Sequence, residues 1–192
     1  MKREKNDIPT AVQLENELKH LRYSESFRKS LKSTVSSLIT LAATAVLISM
    51  LFLPVLRVTG TSMTPTLSNG ELVLGLKNSK IQKGDIIAFY YNNKVLLKRV
   101  IGTAGDIVSM DNDGNVYIND ELLDEPYLIS KDYGECDIEF PYQVPESRLF
   151  VMGDHRTVSI DSRSTAVGCI AEEYIIGKIF MRIYPFNKIG TF

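Results

Sequence analysis

The run from Thr34 to Leu56 contains no charged side chain, and no other feature narrows the fold of this chain as much. As a helix rising about 1.5 Å per residue it would reach roughly 30–35 Å, enough to cross a hydrocarbon core. Lys32 and Arg57 bound it. A buried core helix of that length would normally keep a polar face. A cleavable signal peptide has an apolar region of only about 7–15 residues, and its cleavage site follows that region. Here Ala43-Thr44-Ala45 looks like a cleavage signal but lies inside the run. The run therefore predicts a transmembrane helix over 34–56.

Basic residues set the expected orientation. Lys2, Arg3, Lys5, Lys19, Arg22, Arg28, Lys29 and Lys32 precede the run, whereas Arg57 stands alone after it until Lys77. The positive-inside rule then places residues 1–33 in the cytoplasm and 57–192 outside the cell, as a single-pass membrane protein. Leu14, Leu18 and Leu21 recur at helical spacing among Glu15, Glu17, Lys19 and Arg22. That pattern predicts a short solvated helix or a tail, with an amphipathic helix on the inner leaflet as the alternative.

The formal net charge of −1 gives no reason to expect a nucleic-acid partner. Cys136 and Cys169 have no metal-ligand spacing, and nothing in the chain calls for a metal or a cofactor. In an external domain the two thiols could pair.

From Val58 onward short apolar runs alternate with Gly, Asn, Asp and Pro, which predicts β structure. Strands are expected at Glu71–Leu76, Asp85–Tyr91 and Lys94–Ile101, the last two joined at Asn92-Asn93 as a hairpin. Asp113-Gly114-Asn115 marks a second hairpin leading to Val116–Ile118. Arg148–Met152 and Ile175–Tyr184 are further strands. The expected fold is mainly β: one N-terminal transmembrane helix, then an antiparallel β catalytic domain with a small inserted β subdomain over 103–147.

Three segments carry chemistry. Ser62 follows Gly60-Thr61 and precedes Met63-Thr64-Pro65-Thr66. A serine hydroxyl becomes a nucleophile only when a base takes its proton. Lysine can do so when burial has lowered its pKa enough to leave it neutral. Lys98 sits among Val95, Leu96, Leu97, Val100 and Ile101. Strand alternation puts Leu96, Lys98 and Val100 on one face and leaves Arg99 on the other, where it can be solvated. Within that strand alone, Lys98 could equally reach the sheet edge and snorkel into water. The third segment, Gly153 to Arg163, gathers Asp154, His155, Ser159, Asp161 and Arg163. Only 57–61 separates the apolar run from Ser62, a linker of roughly 20 Å at most. A serine so tethered works at the outer membrane boundary, on a substrate that is itself embedded in the bilayer.

The segments Gly60–Leu67, Lys83–Phe89, Lys98–Asp106 and Gly153–Arg163, in this order after an N-terminal span, resemble type I signal peptidases, the leader peptidases, in their Gram-positive form. The resemblance covers most of the external domain. It implies a membrane-anchored serine endopeptidase that removes signal peptides from exported preproteins, cutting after small residues. Ser62 would be the nucleophile and Lys98 the general base. Ser159 would orient the lysine, and Asp161 with Arg163 would form a supporting ion pair. The oxyanion hole would lie at Gly60 and Ser62, with the Ser62 N–H as donor. Gly60 lacks the side-chain hydroxyl that some members carry at that place, so the second donor is open. Val58, Met63, Leu96 and Leu97 would line the substrate pocket. The implied partners are signal peptides, the lipid bilayer and the protein export machinery.

Two residues depart from the family pattern: His155 stands for the usual Asn, and Ala104 for the usual Pro. His155 also admits a rival Ser62/His155 site, since histidine is the commoner base. Two further readings compete. One is a self-cleaving transcriptional repressor of similar fold, which would need a DNA-binding module and no apolar run. The other is an anchored assembly factor that has lost activity.

Overall fold

A computed structural model describes residues 11–192. Lys2, Arg3 and Lys5, which contribute to the expected orientation, lie outside the described residues. The chain divides into two compact units, residues 1–49 and 50–192.

The described part of the first unit is helical throughout, belonging to a single helix α1 over Ala11–Phe52. Its apolar stretch is long enough to cross a membrane. The segment around Leu14, Leu18 and Leu21 is neither a separate short helix nor an irregular tail. It runs without a break into the apolar stretch, because no Gly or Pro interrupts 11–52. Leu14, Leu18, Leu21, Leu38, Leu41 and Leu47 are all exposed. Such apolar surface needs a non-aqueous surrounding or a partner.

The second unit is built from twelve strands: β1 Val55–Arg57, β2 Leu72–Leu76, β3 Ile86–Tyr91, β4 Lys94–Gly102, β5 Ile107–Met110, β6 Val116–Ile118, β7 Glu121–Leu122, β8 Tyr142–Gln143, β9 Arg148–Met152, β10 Ile170–Ala171, β11 Ile175–Tyr184 and β12 Gly190–Thr191. The larger sheet has the order β1-β2-β11-β3-β4-β9-β10, with β12 also on β11; the smaller has the order β7-β6-β5-β8. All the pairings are antiparallel. The hairpin at Asn92-Asn93 forms as the sequence predicts. Both asparagines take positive φ, 44° and 60°, the combination that a tight two-residue turn between twisted strands requires. Asn119-Asp120 does the same between β6 and β7.

Three packed clusters hold the unit together. Val58, Met63, Leu67, Val73, Ile86, Ala88 and Ile179 form one. Ile87, Phe89, Val100, Leu149, Val151 and Ile170 form another. The third joins Val108, Met110, Val116 and Ile118 of the smaller sheet to Ile101, Phe150 and Met152 of the larger. Truncating Phe89 or Phe150, both fully buried, to alanine would cost about 3–5 kcal/mol. Cys136 and Cys169 are free thiols, and Cys169 is buried. The first cluster positions the site, because it pins the loop between β1 and β2 to the larger sheet.

Candidate functional site

Ser62 sits on that loop. Its neck is closed by Val58 N donating to Glu71 O at 2.8 Å and Gly70 N to Val58 O at 2.9 Å. Val58, Met63 and Leu67 plug into the core, at 3, 2 and 0 % exposure, so the loop is anchored on both sides of the serine. The Ser62 N–H and hydroxyl make no hydrogen bond among the described residues, and both are available to a ligand. Gly60 has φ +89° with open space where a side chain would stand, the conformation that favours glycine. Its N–H is engaged by Asn69 Oδ1 at 3.1 Å. Of the two positions expected at the oxyanion hole, the Gly60 N–H is taken up by Asn69 and the Ser62 N–H has no partner among the described residues.

Lys98, in the middle of β4, is 2 % exposed. Its Nζ donates to Ser159 Oγ at 2.9 Å. It does not snorkel into water. Burial strips water from the ammonium and pulls its pKa from 10.5 down to about 8; Asp161 and Asp154 pull it up, and Arg163 pushes it down. Lys98 and Ser62 are not directly hydrogen-bonded in this structure, and Gly153 marks where Ser159 and the Ser62 backbone approach each other. A Cβ on Gly153 would collide with Ser159 Oγ and lie 2.5 Å from the Ser62 carbonyl oxygen. The partner of Lys98 and the backbone of Ser62 therefore face each other across the space that glycine leaves empty. His155 N, donating to Ser62 O at 3.0 Å, fastens the two segments.

The turn after β9 is held by buried charge. Asp161 receives Arg163 Nε on Oδ1 and Arg163 Nη2 on Oδ2, both at 2.9 Å, and Gly153 N on Oδ2 at 2.9 Å. Arg163 also donates to the carbonyls of Tyr133, Arg156 and Ser159. Burial alone would raise the Asp161 carboxyl, but the Arg163 guanidinium and the Gly153 N–H outweigh it and hold the pKa below the usual range. Ser162 Oγ, between the pair, accepts from Val151 N at 2.9 Å, tying the turn to β9.

Arg99 corrects the sequence reading. It is buried, not solvated. Its Nε and Nη2 grip Asp154 Oδ1 and Oδ2 at 2.9 and 2.7 Å, and its Nη1 donates to Gly84 O at 2.8 Å. Thr66 Oγ1 donates to Asp154 Oδ2 at 2.5 Å. A two-point guanidinium–carboxylate grip shielded from water is among the strongest side-chain contacts available. His155, the rival base, turns its Nδ1 to Thr64 Oγ1 at 3.0 Å, not to Ser62. Ala104 leaves its turn intact, because Asp106 N donates to Thr103 O and Thr103 N to Asp106 Oδ2.

A cleft of about 340 Å³ opens beside the serine. Val58, Gly60, Ser62, Met63, Leu96 and Leu97 all line it, so the residues expected to bind substrate meet around the expected nucleophile. One wall is β1, which among the described residues pairs only with β2. The other is the first half of β4, which pairs β3 on one side and reaches β9 only from Arg99 onward. Two open strand edges thus face the cleft.

The chain is similar to known proteins. Residues 31–184 match the family described as "Signal peptidase, peptidase S26". The chain is 36% identical over 174 residues to signal peptidase I U of Bacillus subtilis, covering 84% of this chain and 92% of that protein. It is 38% identical over 150 residues to signal peptidase IB of Staphylococcus aureus, covering 67% of this chain and 76% of that protein. Among solved structures, a signal peptidase I from Enterococcus faecalis aligns at 34% identity with a TM-score of 0.45, over 52% of this chain and 97% of the other. By the extent of the family match and the identity to these relatives, the chain belongs to the signal peptidase family, peptidase S26.

Proposed function

We propose that this protein is a membrane-anchored signal peptidase that removes signal peptides from exported preproteins with Ser62 as nucleophile and Lys98 as general base. The observation that carries the reading is a buried lysine of lowered pKa, hydrogen-bonded to Ser159, with Ser62 lining a cleft between two open strand edges. An extended peptide adds to such edges through its backbone, and shallow pockets then read alternate side chains. Val58, Met63, Leu96 and Leu97 leave little room, which favours small residues before the cut.

Neutral Lys98 accepts the Ser62 proton as Oγ attacks the scissile carbonyl. The Ser62 N–H steadies the oxyanion. The Lys98 ammonium then protonates the departing amine, which leaves as the new N-terminus of the mature protein. Lys98, neutral again, deprotonates a water that attacks the acyl-enzyme; the bond to Ser62 Oγ breaks, Oγ takes the proton back from Lys98, and the signal peptide leaves with a new C-terminal carboxyl group. Ser159 holds Nζ on the path between the two steps. Asp161 with Arg163 and Arg99 with Asp154 keep the walls in place.

The apolar stretch of α1 supports anchoring, with residues 1–33 in the cytoplasm and the β unit outside. The short linker to Ser62 then keeps the cut close to the membrane surface, where the cleavage site of a translocating precursor emerges. The test uses the full chain in detergent with a precursor substrate. Ser62→Ala and Lys98→Ala should each abolish processing while the chain stays folded, and mass spectrometry of a trapped acyl-enzyme should find the label on Ser62. Normal cleavage by either variant would overturn the mechanism.

A further inference from the structure

Glu125 and Tyr127 lie outside all four motif segments, after β7, yet they reach the catalytic turn from two sides. Glu125 is buried and pairs with Arg156, both side chains at most 1 % exposed. Tyr127 Oη donates to Glu125 Oε1 at 2.8 Å. The Tyr127 ring lies under the Arg99 guanidinium, 3.9 Å from its centre, and Arg99 in turn grips Asp154. Arg156 Nε donates to Gly153 O at 3.2 Å, and its own carbonyl accepts from Arg163 Nη2 at 2.9 Å. One short segment thus holds the residues immediately after Gly153 through both of their charged partners. A Cβ on Gly153 would meet both Ser159 Oγ and the Ser62 carbonyl oxygen.

We propose that Glu125 and Tyr127 are positioning residues, which set the register of the 153–156 turn, and with it Ser159, against Lys98 and Ser62. The inference rests on the Ser62/Lys98 reading. A merely structural role would explain the burial of the pair. It would not explain why the same three-residue segment supports both Asp154, through Arg99, and Gly153, through Arg156. Neither residue lines the substrate cleft, so their loss should act on the chemical step and spare substrate binding.

The test measures kcat, KM and the pH–rate profile of the full chain in detergent for Glu125→Gln and Tyr127→Phe. Tyr127→Phe removes one hydroxyl and keeps the ring beneath Arg99. Glu125→Gln should lower kcat at neutral pH by about tenfold, the scale of losing a hydrogen bond to a charged group, with KM within about twofold. Tyr127→Phe should lower it by about threefold. A loosened turn admits water to the Lys98 ammonium and lets its pKa rise. The charged groups that act on it, Asp161, Arg163 and Asp154, keep their charges in both variants. The rising limb should therefore move to higher pH, and alkaline conditions should restore part of the lost rate. A kcat within twofold of the parent, or a loss whose pH midpoint does not move, overturns the proposal. If Glu125→Gln does not fold, Tyr127→Phe decides by the same criteria. Parent and Ser62→Ala run in parallel. A Ser62→Ala variant that still cleaves sinks the catalytic reading. With that variant inactive and the parent active, the kinetics of Glu125→Gln and Tyr127→Phe test the positioning role by themselves.

Discussion

Replacing Lys98 with methionine should kill the enzyme and make it more stable at neutral pH. Burial lowers the Lys98 pKa from 10.5 to about 8. At pH 7.5 roughly a quarter of the side chain is then neutral, against about one part in a thousand at the ordinary value. Cleavage should accordingly rise with pH through about 8 and level off above it. The same displacement has a thermodynamic cost. The native state disfavours the ammonium, so the unfolded chain binds more protons between about pH 8 and 10.5. Stability therefore climbs with pH across that window, and below it the full penalty of about 3 kcal/mol is in force. Methionine fills similar space without the charge. It forfeits the hydrogen bond that the ammonium donates to Ser159, about 2 kcal/mol, and leaves a net gain of about 1 kcal/mol at pH 7. That corresponds to about 2–4 °C in melting temperature for a chain of this size. The gain should fade toward pH 10.5, where the parent no longer carries the penalty. Unfolding of the full chain in detergent can be followed by tyrosine fluorescence, since the sequence has nine tyrosines and no tryptophan. A Lys98→Met variant that melts at or below the parent at pH 7 would show that the ammonium is not desolvated, and the argument for a neutral base would collapse.

Gly153→Ala should reduce kcat by about a hundredfold or more, because its methyl would drive apart Ser159 Oγ and the Ser62 carbonyl, and misplacement near 1 Å carries that scale of loss; a rate within threefold of the parent would show that the two segments need not touch. Leu97→Ala, in the cleft wall, should raise kcat/KM for precursors with leucine before the cut by about tenfold relative to those with alanine; an unchanged ratio would remove Leu97 from the specificity pocket.

The strands are readable because local chemistry sets them. The asparagine pairs mark the turns, and the limits of β6, β9 and β11 fall where the apolar runs begin and end. Lys98 is conspicuous because an isolated amine among aliphatic residues is costly unless something uses it. Arg99 is misread for a reason that a single strand cannot reveal. Alternation correctly sends it away from Lys98, but that other face is covered too, by the loop carrying Leu67 and Thr66. Which face of a central strand meets water depends on segments far away in the chain. Glu125 and Arg156 are invisible for the same reason: each alone looks like ordinary surface charge, and only the fold brings them together out of water. α1 is half legible. Its apolar stretch announces itself, while its continuity back to Ala11 depends on the absence of a breaker, a weaker signal than a positive pattern.

The charges around Lys98 explain how a carboxylate can sit close to it while its pKa stays lowered. Asp161 by itself would raise the lysine's pKa. Arg163 by itself would repel a proton from it but would be a buried cation without a partner, which is strongly destabilising. Locked together by two hydrogen bonds, they act on Lys98 in opposite directions, Asp161 the more strongly. The loss of water is the largest influence on the lysine and lowers its pKa. The Lys98 pKa is therefore set chiefly by packing, and the ion pair gives the turn its rigidity. This also accounts for the spacing of Asp161 and Arg163: at two residues apart on one turn, with Ser162 tied to β9 between them, neither can move relative to Lys98 without the other.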